Sequence, residues 1–226
     1  MILMKKYRLK LKNIFSLIFF LIILVLAGWY LAYRFNYIPH GMYTNKDFDI
    51  ETYISPNDRD GDGVDDQTDI LQNVRAYVAT KPKYMSKYYP TGYPDDEYGV
   101  CTDVVAQGLL GAGYDLRELV DEDRNAHPED YENEPIDKNI DFRRVRNLII
   151  YFRRHATELT TDIYDIAEWQ GGDIVVFKGH IGVVSDKRNK DGIAFVIHNG
   201  SSFQSSYEQD ILENRKSEIV GHFRVG

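Results

Sequence analysis

Cysteine is almost absent: the chain of 226 residues has one, Cys101. An internal disulfide is therefore excluded. A lone thiol in an exported domain means intermolecular pairing, a reactive nucleophile, or an inert side chain packed as a small hydrophobe. Acidic side chains are missing from residues 1–34, which carry six basic ones. The remainder holds 21 basic against 35 acidic groups, a net charge of −14. Such a domain repels nucleic acid and anionic lipid, so a nucleic-acid role is excluded. There is no internal repeat and no low-complexity tract. The length suits one ordinary domain with something added.

Charge is also missing from the run Ile14 to Ala32. About 20 apolar residues cross a bilayer core as a helix. Lys5, Lys6, Arg8, Lys10 and Lys12 precede the run, and only Arg34 and then Lys46 follow it. That bias keeps the N-terminus in the cytoplasm and exports the rest. A cleaved signal peptide would have a shorter apolar region ending in small residues. Here the run ends Leu26-Ala27-Gly28-Trp29-Tyr30, and Trp29, Tyr30 and Tyr33 read as an interfacial belt. The expected organisation is a cytoplasmic basic tail (1–13), a single-pass signal anchor (14–33), an aromatic and polar tether (34–56) and an extracytoplasmic domain (57–226).

In that domain the apolar period is helical first and strand-like later. Ile70, Leu71, Val74 and Val78 form a stripe in a helix opening at Asp69. Residues 80–99, rich in Tyr, Pro and Gly, read as an irregular loop. A second helix starts at Cys101, with Val104, Val105, Leu109 and Leu110 on its apolar side and Gly111 or Gly113 at its end. Residues 121–141 hold nine acidic side chains and two prolines and read as a surface excursion. Val145, Leu148, Ile149 and Phe152 mark a third helix. After Trp169 come short β-branched runs at 173–177, 180–185, 192–198 and 221–225, read as antiparallel strands. Helices followed by strands make an α+β domain.

Cys101 at a helix start meets unpaired N–H groups that favour a thiolate, although Asp103 in the same turn opposes this. A histidine partner would complete its activation. Four of the six histidines have ordinary explanations: His40 lies beside the membrane, His127 in the acidic excursion, His155 after the third helix, and His222 at the start of the last strand. His180 opens a strand directly after a Lys178-Gly179 turn, and His198 ends the next strand. If those strands are neighbours, His198 can fix the tautomer of His180. Asn199 is the rival for that orienting role.

The order of these segments resembles the NlpC-type cysteine peptidases of the papain-like fold, many of which cut the stem peptides of peptidoglycan. It more closely resembles an uncharacterised bacterial domain family typified by the YijF-like proteins. The segments that carry the likeness are Gly-Val-Cys-Thr-Asp-Val-Val (99–105), Gly-Tyr-Asp-Leu (113–116), Lys-Asn-Ile-Asp-Phe-Arg-Arg-Val-Arg-Asn-Leu (138–148), Trp-Gln-Gly-Gly-Asp (169–173) and Val-Ile-His-Asn (196–199). The resemblance covers residues 57–226. It implies helices packed on an antiparallel sheet, with Cys101 as nucleophile, His180 as base and His198 as orienting residue. It also implies a tyrosine donor to the oxyanion, Tyr98 or Tyr93. Two departures stand out: Cys101 and His180 are 79 residues apart, and the cysteine is followed by Thr-Asp rather than the commoner Ser-Gly. Arg143 and Arg144 either bind a substrate carboxylate or simply open a helix as solvated charges.

Residues 58–69 fit a calcium-loop template, which needs oxygen ligands at positions 1, 3, 5, 7, 9 and 12 and glycine at 6. Those positions are Asp58, Asp60, Asp62, the carbonyl of Val64, Asp66 and Asp69, with Gly63 at the turn. Asp at position 12 in place of Glu implies modest affinity, and Pro56 argues against an entering helix. A structural Ca2+ would pin the following helix to the domain. The expected function is a membrane-anchored cysteine amidase or peptidase acting on cell-wall peptides. The alternatives are a non-catalytic calcium-dependent wall-binding module and an acyltransferase using the same Cys-His pair. Rapid alkylation of Cys101 below neutral pH would mark the catalytic case.

Overall fold

The computed structural model describes residues 11–226, so most of the expected basic tail lies outside the described residues. The residues through His40 and those from Gly41 onward form two separate compact units. The first unit is α1 (Leu11–Arg34), whose apolar stretch is long enough to cross a membrane. At its end Trp29 stacks on Tyr33 and Tyr33 on His40, whose ring also bonds the Tyr33 carbonyl at 2.8 Å.

The second unit starts earlier than the sequence implies. Residues 41–56, expected as a tether, are laid onto the domain. Tyr43 and Arg188 exchange backbone hydrogen bonds of 2.9 and 2.8 Å. Asn45 is buried, accepts from Arg188 Nε at 2.6 Å and donates to Gln170 Oε1 at 2.9 Å. The reason is Arg188 itself, a fully buried guanidinium whose other donors go to the carbonyls of Ile166, Gly192 and Trp169. Without Asn45 its Nε–H would be left unsatisfied.

Helix α2 (Asp66–Ala79) begins three residues before Asp69, because Asp65 caps it by accepting the Thr68 N–H. Two short strands, β1 (Lys83–Tyr84) and β2 (Tyr98–Gly99), pair in parallel within the otherwise irregular segment. Helix α3 (Cys101–Gly111) then packs closely on α2. Any Cβ at Gly108 would stand 2.2 Å from Val74 Cγ2, so glycine is what allows that approach. The expected acidic excursion is instead helical at both ends: the second half of α4 (Leu116–Ala126) and all of α5 (Lys138–Asp141) lie there, followed by α6 (Val145–His155). Leu116 and Val120 face the core, and the buried pair Arg124–Asp141 joins α4 to α5 at 2.5 Å.

The strands are β3 (Thr157–Glu158), β4 (Ile174–Phe177), β5 (His180–Arg188), β6 (Ala194–Ile197), β7 (Glu208–Gln209) and β8 (Ile219–Arg224), with a short α7 (Leu212–Arg215) before the last. They form one antiparallel sheet in the order β3-β8-β4-β5-β6-β7. One face, with Ile174, Val176, Ile181, Val183 and Phe223, packs on α2, α3, α4 and α6. The other, with Val175, Phe177, Val184 and Val196, is covered by Trp169, Ile163 and Leu212. Both faces are buried, which is why β4 is apolar at every position. The chain is thus α+β, with an antiparallel sheet and an N-terminal apolar helix.

Candidate active site

Cys101 is the first residue of α3, a helix that lies across β5. Its thiol lies near the backbone of Ile181, the residue after His180, which favours the thiolate. The helix start is held by Asp103, which accepts the Val100 N–H at 2.8 Å. Asp103 is fully buried and takes a two-pronged ion pair from Arg143, at 2.6 and 2.9 Å. Arg143 also donates to the Lys87 carbonyl and lies over the Tyr89 ring. It is therefore a buried support for α3, not a free receptor for a substrate carboxylate. Arg144 is spent on Glu134 and Asp141, each at 2.9 Å.

His180 and His198 meet as the neighbouring strands imply. Register pairs Val183 with Ile197, so Gly182 lies opposite His198 and on the same face as His180. A Cβ on Gly182 would stand 2.5 Å from Val196 and 3.3 Å from the His198 Cβ. Its absence gives the two rings room. They approach edge to face, with His180 Nε2 3.0 Å from His198 Nδ1. His198 Nε2 is in turn 3.0 Å from Gln209 Oε1, while Gln209 Nε2 faces Ser205 Oγ at 3.3 Å.

This chain sets the tautomers. Gln209 Oε1 only accepts, so His198 carries its proton on Nε2 and accepts on Nδ1. His180 must then donate from Nε2, which leaves its Nδ1 as the basic nitrogen. Asn199 plays no part in this. Its amide donates to the carbonyls of Pro82 and Gly99, at 2.9 and 3.0 Å, and ties those segments to the sheet. Tyr93 is likewise committed elsewhere, to Asp115 at 2.7 Å. Tyr98 lies on β2 with its ring under the Lys87 ammonium at 3.8 Å.

Electrostatics differ from the expectation of a resting thiolate. Burial pushes the Cys101 thiol up, and Asp103 adds to this, against the lowering effect of nearby backbone groups. Burial also depresses His180, to about 2, and His198, to about 4. The resting pair is a neutral thiol and a neutral imidazole. Among the described residues the two make no hydrogen bond with each other, and such contacts commonly tighten only with substrate bound.

The residues that build this site lie within a family match. A family described as "Domain of unknown function (DUF1287)" matches residues 68–225. The chain belongs to it. It is also 38% identical over 163 residues to "Uncharacterized protein YijF" of Escherichia coli (strain K12), spanning 68% of this chain and 77% of that one. No solved structure matches it.

Within the DUF1287 domain, the Trp-Gln-Gly-Gly-Asp segment is structural. Asp173 is fully buried and accepts from Gln67, the Gln170 N–H, His222 and Arg224. The Gly-Tyr-Asp-Leu segment supplies Tyr114, which donates to Asp66, and Asp115, which caps α4. Sequence reasoning missed Gln209, because β7 is too short to show a period. It also left Arg143 undecided. Asp103 beside a cysteine at a helix start was the available sign that a buried cation was needed. Replacing Gln209 with leucine is expected to strand the His198 N–H, at a cost of about 1–3 kcal/mol. Imidazole 15N shifts should then show the His180 tautomer becoming mixed. An unchanged melt and tautomer would count against the relay.

The acidic loop ahead of the domain is partly assembled. Carboxylate oxygens of Asp58, Asp60 and Asp62 lie within 4.8 Å of one another, on an exposed loop. Asp58 accepts the N–H groups of Gly61, Asp62 and Gly63, and both Gly61 and Gly63 have positive φ. Val64, the carbonyl position, donates its own N–H to Asp62. Asp69 lies outside that cluster, accepting from Asn73 at 2.7 Å, although burial and then the charges of Asp62 and Asp60 raise its pKa. Asp66 does not join. It is buried, accepting from the Arg59 N–H and the Tyr114 hydroxyl. An all-oxygen set of this kind fits a hard divalent cation, without Asp66.

Proposed function

We propose that the chain is a membrane-anchored, extracytoplasmic cysteine hydrolase of the papain-like NlpC type, cutting an amide bond in cell-wall peptides. The observation that supports the reading is the ordered chain Gln209–His198–His180, which leaves His180 Nδ1 unprotonated at the end of β5 where the next residue, Ile181, lies near Cys101. Strand alternation turns the His180 ring to the face opposite Ile181, so the mechanism requires it to reach the thiol past the end of β5. Family resemblance and the N-terminal apolar helix supply the substrate and the location.

In this mechanism Cys101 gives its proton to His180 Nδ1 as the thiolate attacks the carbonyl. The tetrahedral oxyanion is held by the Cys101 N–H at the start of α3. His180 then protonates the leaving amine, and water attacks the thioester with His180 again as base. His198 and Gln209 hold the imidazole in the tautomer that does this. Burial works against this transfer in the resting site, because it lowers the His180 imidazole and raises the Cys101 thiol. The scheme requires the imidazolium to be stabilised by the thiolate or departing amine beside it. The test is to incubate the full chain with purified wall fragments and identify products by mass. A new amine and carboxylate at one defined bond is the expected result, and unchanged fragments would discard the hydrolase.

The raised Cys101 thiol favours a second reading, a calcium-dependent wall-binding module without catalysis. Absence of turnover together with retained binding to wall fragments would select it. Calcium belongs to both readings, bound by Asp58, Asp60, Asp62 and Asp69 and tethering the start of α2. Adding calcium at about 100 times its dissociation constant is expected to stabilise the domain by about 2.7 kcal/mol. Asp60→Asn should remove most of that gain. A melting temperature indifferent to millimolar calcium and to chelator would rule the ion out.

A further inference from the structure

Beside the proposed catalytic site runs a groove of about 460 Å³, walled by residues 82–85, by Tyr98 and by most of the loop from Asn199 to Tyr207. Its size is that of a small-ligand site. It touches the catalytic chain at two points: Asn199 follows His198, and Ser205 in its wall is the group that Gln209 Nε2 faces.

The lining is unusual for this domain. No carboxylate contributes to it, although the chain beyond residue 34 has a net charge of −14. Its one charged side chain, Lys83, already has Glu97 at 3.7 Å. An anionic ligand would therefore meet no uncommitted cation. What remains is aromatic and neutral: the rings of Tyr84, Tyr98 and Tyr207 and the hydroxyl of Ser202, while Gln204 and Ser206 already bond the loop's own backbone and shape the wall. Tyr84 is 40% exposed. Flat amphipathic rings offer stacking surface, and hydroxyls both donate and accept. Those are the needs of a sugar ring, which presents C–H faces to stack and hydroxyl or acetamido edges to hydrogen-bond.

We infer that this groove is a subsite for an uncharged, N-acetylated saccharide, placed so that a glycan-linked peptide would lie with its sugar in the groove and its amide toward Cys101. The placement rests on the hydrolase reading; the sugar chemistry rests on the lining. The test is to titrate the β-1,4-linked disaccharide of N-acetylglucosamine into the full chain in lipid nanodiscs, by calorimetry. Saturable binding is expected. Tyr84→Ala should weaken it roughly tenfold, the scale of one lost aromatic contact, and Ser202→Tyr, which fills the groove, should abolish it. Absence of binding up to tens of millimolar, or binding untouched by both variants, overturns the inference. Sugar binding without peptide cleavage would keep the groove and remove the hydrolase. Cleavage without sugar binding would do the reverse.

Discussion

Cys101→Ala is expected to abolish hydrolysis, by at least about a thousandfold in kcat, while the domain still folds. The loss is large because the nucleophile has no substitute: it is the chain's single cysteine. The fold survives because Cys101 does not hold its own helix. That role belongs to Asp103, through the Val100 N–H and the Arg143 ion pair. Turnover on wall fragments followed by mass, beside a thermal melt of the same preparation, checks both halves. Retained turnover ends the mechanism. Arg143→Met gives the contrasting case, since it leaves the thiol in place but strands a buried carboxylate, a change that costs several kcal/mol. Alkylation needs a changed reading too. With the thiol raised, modification by iodoacetamide should be slow at pH 6 and climb steeply in alkaline solution. Rapid labelling below neutrality would mean that the resting site holds a thiolate after all.

The parts legible in sequence were those with local signals. A charge-free run gives α1, short β-branched runs split by turn residues give the sheet, and a cysteine before an apolar helical stripe gives the start of α3. The two histidines were found because each begins or ends a strand whose neighbours could be counted. What stayed hidden depends on distant partners. Asn45 looks like tether until Arg188, far along the chain, is seen to need an acceptor. Helix α4 looks like an acidic loop because two of its buried residues are charged, and Asp123 and Arg124 are buried only by virtue of partners from α5, α6 and the loop between α4 and α5. Asp66 fits a calcium template by spacing, yet Tyr114 turns it inward. In each case a polar residue was read without the partner that the fold had supplied for it.

Acid should destabilise this domain well above the pH at which carboxylates titrate. Burial holds His198 at about 4 and His180 at about 2, the latter helped by the neighbouring His198 and Arg215, whereas an unfolded chain has both near 6.5. Above 6.5 both states are neutral and stability is flat. Below it the unfolded chain takes up protons that the native state refuses, so stability falls as pH falls. Each histidine that stays neutral contributes about 1.4 kcal/mol per pH unit, so the pair contributes about twice that between pH 6 and 4. Asp173, Asp186 and Glu208, all held low by paired cations despite burial, add their loss only below about pH 4.5. Asp69, raised in the folded state, opposes the trend as a single group. Urea unfolding at pH 7, 6, 5 and 4 measures the slope. His198→Gln, and separately His180→Gln, should each flatten it by about one histidine's share. Stability that stays level from pH 7 to 5, or a slope that neither variant changes, would mean that the two rings are charged in the native protein and that no neutral imidazole waits beside the thiol.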